Sequence, residues 1–252
     1  MTDVLVEVTD LVATVTLNRP ERRNAISGRL LAVLRVTLAD LDRRPDVRVI
    51  VLTGADPAFC SGLDLTELGQ PGSALSAAAH GPVLLDLDKP LIGAVNGAAV
   101  TGGLELALAC DFLVASELAR FADTHARVGI MPGWGLTVAL PEAIGLRRAR
   151  EMSATGNFIS AQTALGWGLV NHVVPHERLL EFTSQLATDA ASSDADALRA
   201  IFATYAEGSR VASDAARQVE ARAHARWHAD GIDPGQVAAR RESVIQRGRS
   251  QS

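Results

Sequence analysis

Two glycine-containing turns carry the residues best suited to chemistry in this sequence. Residues 59–64 read FCSGLD, and residues 96–105 read NGAAVTGGLE. Each turn follows a strand-like apolar run and leads into a helix-like one, where backbone N–H groups lack partners and glycine lets a ligand approach. Two such donors aimed at one point would stabilise negative charge on a carbonyl oxygen. A single turn would be an ordinary strand-to-helix connection, but a pair, the second ending in the carboxylate of Glu105, favours an oxyanion hole.

Composition and charge exclude several classes of protein. The chain has 252 residues, 48% of them hydrophobic, which fits one enzyme-sized domain. A formal net charge of −5 argues against a protein that coats nucleic acid. The amino terminus lacks a secretion-signal pattern and no apolar run reaches the ~20 residues of a membrane span, so we expect a cytoplasmic protein without membrane association. Cys60 and Cys110 form no Cys-x-x-Cys pair, so we expect neither a disulfide framework nor a metal site.

Hydrophobic periodicity predicts alternating strands and helices in the first half of the chain. Residues 4–17 have the pattern of a β-hairpin. A helix capped by Ser27 follows, with leucines three or four positions apart at Leu30, Leu31, Leu34, Leu38 and Leu41. Further strands are predicted over residues 47–52, 91–95 and 111–115, a helix over 104–110, and a loop over 69–76. This alternation favours an α/β fold with repeated crossovers.

The pattern from residue 140 onward is mainly helical. Helices are predicted over residues 147–154, 161–166, 179–191, 195–205, 213–230 and 236–247. We therefore expect an α/β core over residues 1–195 and a helical carboxy-terminal region over residues 196–252. The pattern leaves open whether that region packs on its own core or on a neighbouring subunit.

Nine short motifs follow one another along the chain from the amino terminus to about residue 171. They are residues 17–25 (LNRPERRNA), 51–54 (VLTG), 59–65 (FCSGLDL), 96–107 (NGAAVTGGLELA), 110–111 (CD), 121–123 (FAD), 129–133 (GIMPG), 155–156 (TG) and 168–171 (GLVN). One short motif would be a weak signal, whereas this ordered series resembles the enoyl-CoA hydratase/isomerase family of the crotonase superfamily.

The resemblance implies a crotonase-like core of stacked ββα turns, trimers or pairs of trimers, and an acyl-CoA thioester as substrate. It implies no separate cofactor, since coenzyme A is part of the substrate. By position, the backbone N–H groups of Leu63 and Gly102 match the family's oxyanion donors. The resemblance also gives substrate-binding positions to Ser61, Gly62, Asp64 and Leu65. Arg22 and Arg23 are candidates to neighbour the CoA phosphates, although a solvated basic loop explains them equally well.

Hydratases of the resembled family use two glutamates to hold one water molecule and move its proton, and here only the first is present. Glu105 matches that first position. Because it lies between Leu104 and Leu106, it is poorly hydrated, which favours proton transfer over a mere interaction with the helix dipole. The second position holds His125, which either does acid/base work near neutrality or is a polar residue in a site that lost one function. Asp123 is a weaker substitute.

The missing second glutamate leaves the reaction open. Hydration must deliver both the hydroxyl group and the proton of a water molecule to the substrate, whereas isomerisation of a double bond can run on a single base. Thioester hydrolysis and decarboxylation need other pockets. Glu105 favours hydratase or isomerase chemistry, while the change at position 125 is compatible with a different class, a non-catalytic acyl-CoA-binding protein. Trp134, after the glycine turn near residue 130, either shapes the acyl pocket or packs in the core.

Overall fold

The computed structural model describes residues 2–68, 83–84, 86–229 and 234–251, and its strands form a large and a small sheet. The strands are β1 (Val4–Thr9), β2 (Val12–Leu17), β3 (Val49–Gly54), β4 (Ala58–Cys60), β5 (Leu91–Val95), β6 (Ala98–Val100), β7 (Phe112–Ser116), β8 (Arg120–Ala122), β9 (Ile159–Ser160) and β10 (His172–Val174). The six-stranded sheet has the order β1–β2–β3–β5–β7–β10, and the four-stranded sheet has the order β4–β6–β8–β9.

The strand pairing confirms the predicted hairpin and the predicted crossovers. β1 pairs with β2 in antiparallel register, and β2, β3, β5, β7 and β10 then follow one another in parallel. In the small sheet β4, β6 and β8 run parallel, and β9 is antiparallel. The chain thus passes three times from a strand of the large sheet to a strand of the small sheet and on to a helix. This repetition is the stacked ββα arrangement that was expected.

The first long helix has the predicted cap and the predicted buried face. α1 (Gly28–Arg43) begins after Ser27, whose side chain accepts a hydrogen bond from the Leu30 N–H at 3.0 Å. The five leucines with helical spacing are all buried: Leu30, Leu31, Leu34, Leu38 and Leu41. They pack in the main core with Phe59 and Phe121 from the small sheet, so α1 helps to fix the turns that follow those strands.

The remaining helices confirm the predicted helical segments and join two of them. They are α2 (Leu65–Leu68), α3 (Gly102–Leu108), α4 (His125–Val128), α5 (Leu136–Ile144), α6 (Leu146–Thr155), α7 (Ala161–Trp167), α8 (Leu179–Ala191), α9 (Ala195–Trp227) and α10 (Pro234–Ser250). The segments predicted to be helical over 195–205 and 213–230 belong to one continuous helix, α9, which ends at Trp227. Its interior contains one glycine, Gly208, and no proline, and a single glycine costs a helix only about 1 kcal/mol.

The carboxy-terminal helices pack on the large sheet and on other helices. α8 packs its Leu179 and Ala187 on the face formed by Val49, Val51 and Ile92. α9 packs against α5, and α10 packs against α2 and α4. The predicted loop over residues 69–76 lies outside the described residues. None of the helices in the described ranges combines the length and the hydropathy needed to cross a bilayer.

Candidate active site

The two glycine turns lie side by side because the strands that precede them are neighbours. β4 pairs with β6 in parallel, so the chain leaves the small sheet at the same edge in both places. The Gly62 carbonyl accepts a hydrogen bond from the Ile26 N–H at 2.8 Å, which fixes the first turn. A Cβ atom placed on Gly102 would lie 3.5 Å from the Leu63 nitrogen. The two turns therefore meet at Leu63 and Gly102.

The backbone N–H groups of Leu63 and Gly102 have no acceptor among the residues that the structure describes. The N–H groups next to them in the chain do have acceptors. The Thr101 N–H donates to the Ala122 carbonyl at 2.9 Å, and the Asp64 N–H donates to the Ile26 carbonyl at 2.8 Å. Gly102 opens α3, where N–H groups have no intrahelical acceptor. Two adjacent donors are thus left for an acceptor that does not belong to the described chain.

Glycine is required at two points of these turns. Gly62 has a φ of +93°, a conformation that side chains with a Cβ rarely adopt. A Cβ on Gly103 would lie 2.0 Å from the backbone oxygen of Cys60, well inside van der Waals contact. The first requirement lets the backbone turn before Leu63. The second lets α3 press against β4, so that Glu105 is carried into the interior.

Glu105, His125 and Asp123 form one buried row of side chains, in which His125 has a carboxyl group on either side. His125 Nε2 lies 3.5 Å from Glu105 Oε2, and His125 Nδ1 lies 2.8 Å from Asp123 Oδ1. The same Asp123 oxygen accepts the His125 backbone N–H at 3.1 Å. Side-chain exposures are 3% for Glu105, 5% for His125 and 2% for Asp123, so water reaches them poorly. The structure therefore brings the two predicted acid/base residues together and adds Asp123 behind the histidine.

The two carboxyl groups favour the charged form of His125. Burial of the imidazole opposes its protonation, but the hydrogen bonds and charges of Asp123 and Glu105 outweigh burial and raise the pKa of His125 to about 9. Burial acts to raise the pKa of Asp123, yet the hydrogen bond and charge of His125, with a hydrogen bond from Ser153, hold it below its usual value. At neutral pH His125 is therefore protonated and positively charged.

Trp134 packs beside Glu105 and the second glycine turn. Its backbone N–H donates to Glu105 Oε1 at 3.0 Å, which leaves Oε2 facing His125. A Cβ on Gly102 would lie 3.2 Å from Trp134 Cζ3, so the indole lies against the turn. Trp134 is buried, and it lines a cavity together with Glu105. Trp134 therefore does both things that the sequence left open: it packs in the core, and it forms part of a cavity wall.

Two cavities approach the Glu105–His125 pair. One, of about 270 Å³, is lined by His125, Ser61, Leu63, Asp64 and Leu65. The other, of about 310 Å³, has Glu105 and Trp134 in its wall, with Leu84, Leu108 and Leu136. Four of the predicted substrate-binding residues therefore share one cavity with His125, and Gly62 and Gly102 form the turns behind them. Glu105 thus lines one of the two cavities, and His125 lines the other.

Charged side chains surround the first cavity. Its wall includes four arginines, Arg22, Arg23, Arg241 and Arg249, the last two from α10. Asp64 is ion-paired with Arg19 at 3.1 Å. Burial acts to raise the pKa of Asp64, but hydrogen bonds from Thr66 and Arg19 outweigh burial and lower it. This cavity thus offers positive charge for an anionic ligand, with Asp64 held in the ionised form.

Some residues of the site were not expected from the sequence. Arg241 and Arg249 lie far from the motifs, and only the packing of α10 against α2 and α4 brings them to the first cavity. Asp123 was a weaker substitute for the missing glutamate, and the structure instead gives it the Nδ1 side of His125. The Asp-x-His spacing was the available signal, because a side chain two residues before a helix start can bond the first helical residue.

Comparison with known proteins agrees with the fold and with the motif series. A family model described as enoyl-CoA hydratase/isomerase matches residues 7–233. An (E)-benzylidenesuccinyl-CoA hydratase of Thauera aromatica is 41% identical over 196 residues, covering 75% of this chain and 77% of the relative. A mitochondrial enoyl-CoA hydratase of Pongo abelii is 38% identical over 212 residues, covering 79% of this chain and 73% of the relative.

A solved structure matches this chain at higher sequence identity. The crystal structure of an enoyl-CoA hydratase from Mycobacterium smegmatis is 48% identical, with a TM-score of 0.84 and coverage of 90% of this chain and 98% of that one. The matching family model, the shared fold and the identity over most of both chains point to a single family. The chain is therefore a hydratase-like enzyme of the enoyl-CoA hydratase/isomerase family, within the crotonase superfamily.

Proposed function

We propose that this enzyme adds water across the conjugated double bond of a 2-enoyl-CoA thioester. The observation that carries the proposal is the pairing of Glu105 Oε2 with His125 Nε2 at 3.5 Å, beside two backbone donors that lack acceptors. Such a site offers a base, an acid and an oxyanion hole at once. Hydration of an enoyl thioester requires all three.

The thioester oxygen accepts hydrogen bonds from the N–H groups of Leu63 and Gly102. Because these donors belong to rigid turns, they stabilise the enolate that forms when a nucleophile adds to the β-carbon, with little reorganisation. The CoA moiety lies along residues 61–65, and Arg22 and Arg23, with arginines of α10, supply charge for its phosphates. The acyl group extends past Trp134 into the second cavity.

Proton transfer uses the opposite charges of the two side chains. The Glu105 carboxylate accepts a proton from water as the water oxygen bonds to the β-carbon. The His125 imidazolium then donates its Nε2 proton to the α-carbon of the enolate, which gives a 3-hydroxyacyl thioester. Glu105 has gained one proton and His125 has lost one, so a transfer across their 3.5 Å separation restores the starting state. Asp123 holds the imidazole by Nδ1 and keeps Nε2 toward the substrate.

We also propose assembly as a homotrimer or homohexamer in a reducing, cytoplasmic environment. The helical region over residues 196–252 would contribute to contacts between subunits, because α9 leaves Ile201, Tyr205, Val211 and Val219 exposed. Free, buried Cys60 and Cys110 are compatible with a reducing compartment. Sedimentation equilibrium measures the mass of the assembly directly, and a monomer at micromolar concentration would contradict this proposal.

The test uses a short trans-2-enoyl-CoA and follows loss of the absorbance of the conjugated thioester. We expect rapid loss, and a product heavier by one water molecule. Glu105→Gln and His125→Ala should each lower kcat by about 10²–10⁴-fold, the usual contribution of a positioned acid or base. Glu142→Gln and His172→Ala change exposed side chains of the same types and should keep wild-type activity.

Other outcomes of this assay point to different functions. Conversion between 2-enoyl and 3-enoyl thioesters without water addition would indicate an isomerase. Release of free CoA would indicate a thioester hydrolase. Saturable binding without any turnover would indicate an acyl-CoA-binding protein, and would contradict the proposed hydration.

A further inference from the structure

The segment over residues 129–137 holds one oxygen of Glu105. Within it, the Trp134 N–H donates to Glu105 Oε1 at 3.0 Å. A carboxylate fixed by one oxygen presents the other in a defined direction, which here is toward His125. Any residue that fixes this segment therefore also controls where the Glu105 carboxylate points.

A carboxylate from the long carboxy-terminal helix α9 fixes the end of that segment. Glu220 Oε1 accepts the Gly135 N–H at 2.7 Å, and Oε2 accepts the Thr137 N–H at 2.8 Å. The Thr137 hydroxyl donates to the same Oε2. Gly135 precedes α5 in a left-handed conformation and has no side chain that could cap the helix, so Glu220 supplies the cap from another element.

The same helix holds the start of the segment as well. The indole N–H of Trp227 donates to the Gly129 carbonyl at 3.1 Å, and His228 Nε2, just past the end of α9, accepts the Met131 N–H at 3.3 Å. Trp134 thus lies between two anchored ends. The contacts are polar and directional, unlike the apolar contacts by which helices usually pack.

Glu220 is 5% exposed, and a buried carboxylate is destabilising unless hydrogen bonds compensate for its lost hydration. Its two oxygens receive three donors from two residues of the same segment. An apolar side chain would fill this place without the cost of burying a charge. The hydrogen bonds to Gly135 and Thr137 therefore explain why position 220 holds a glutamate. These two residues lie one and three positions after Trp134.

We infer that Glu220 is a positioning residue for the acid/base pair: through Gly135 and Thr137 it holds the Trp134 N–H against Glu105, and so aims Glu105 Oε2 at His125. The inference rests on the proposed function, because it assigns Glu105 the role of base. It makes α9 part of the catalytic apparatus without contact between α9 and the reacting atoms.

The first test compares steady-state kinetics of Glu220→Gln with wild type, using a short trans-2-enoyl-CoA. We expect kcat to fall about 10- to 100-fold, since small displacements of a catalytic group have effects of this size, with little change in KM. Glu207→Gln alters an exposed carboxylate of the same helix and should leave both constants unchanged. Wild-type kcat in Glu220→Gln would overturn the inference.

A double-mutant cycle separates positioning of Glu105 from general damage to the fold. In single-turnover reactions at enzyme excess, Glu220→Gln should cause no further loss when Glu105→Gln is already present, because the group to be positioned has gone. An equal loss in both backgrounds would contradict the inference, since it would show that Glu220 acts independently of Glu105.

Hydrogen exchange provides a readout that needs no substrate. Amides of residues 131–137 should exchange faster in Glu220→Gln than in wild type, while amides of α1 should not change. Unchanged exchange over 131–137 would refute the inference by itself. Absence of hydration by the wild-type enzyme would instead refute the proposed function, and the exchange comparison would still decide whether Glu220 holds the segment.

Discussion

His125 is the residue at which this site departs most from the two-glutamate pattern. A pair of carboxyl groups that shares one proton offers one base and one acid. Glu105 and an imidazolium offer the same two roles, because the pKa of His125, raised to about 9 by its partners, keeps the proton on His125 at neutral pH. In the proposed mechanism, the replacement thus changes the charge of the proton donor and keeps its role.

Gly102 supports a prediction about the oxyanion hole. A methyl group at this position would lie 3.5 Å from the Leu63 nitrogen and 3.2 Å from the Trp134 ring, in the space proposed for the thioester oxygen. Gly102→Ala should therefore lower kcat for hydration by about 10²–10³-fold, the usual effect of losing one oxyanion donor. The measurement is a steady-state assay together with a thermal unfolding curve.

Gly208→Ala is the matched control for that substitution. A Cβ at Gly208, within α9, meets no atom within 4 Å. This variant should keep wild-type activity and gain up to about 1 kcal/mol of stability from higher helix propensity. If Gly102→Ala retained wild-type kcat, the oxygen could not bind where the two turns meet.

Among the elements, the short strands β4 and β6 determine the geometry of the site. Sequence reasoning found the turns but not these strands, because three residues are too few to show an alternating pattern. Their parallel pairing places Leu63 beside Gly102, and their contact with α3 carries Glu105 inward. The meeting of the two turns is therefore a property of two paired strands, although the turn residues can be found from single motifs.

Gly103 tests the contact between α3 and β4. A Cβ there would lie 2.0 Å from the Cys60 backbone oxygen and 2.8 Å from the Cys60 carbonyl carbon, and backbone atoms cannot rotate away. Gly103→Ala should destabilise the protein by about 3 kcal/mol, the upper end of the usual cost of overpacking a tight core. That loss corresponds to a fall of about 6–12 °C in the thermal unfolding midpoint for a chain of this size class.

Gly166→Ala serves as the reference for the unfolding measurement. It lies in α7, is exposed, and offers open space to a Cβ. We expect its unfolding midpoint to match or exceed that of wild type. A Gly103→Ala protein as stable as Gly166→Ala would show that α3 does not depend on this close approach.

For the whole molecule, the sequence predicted what depends on local pattern and missed what depends on distant contacts. The Ser27 cap, the leucine face of α1 and the strand over residues 91–95 follow from local spacing, and all three are confirmed. The turn motifs also predicted which residues meet in the site. Glu220 and Arg241 could not be found in this way, because their neighbours lie far away in the sequence.

The central claim is that the imidazolium of His125 is the proton donor, and the pH dependence of kcat/KM tests it most directly. For hydration of a short trans-2-enoyl-CoA, kcat/KM should fall as pH rises through about 9, where His125 loses its proton. In Asp123→Asn this basic limb should move to lower pH, since the hydrogen bond and charge that favour the imidazolium are reduced. A basic limb that does not move, or a rate that rises above pH 9, would contradict the account.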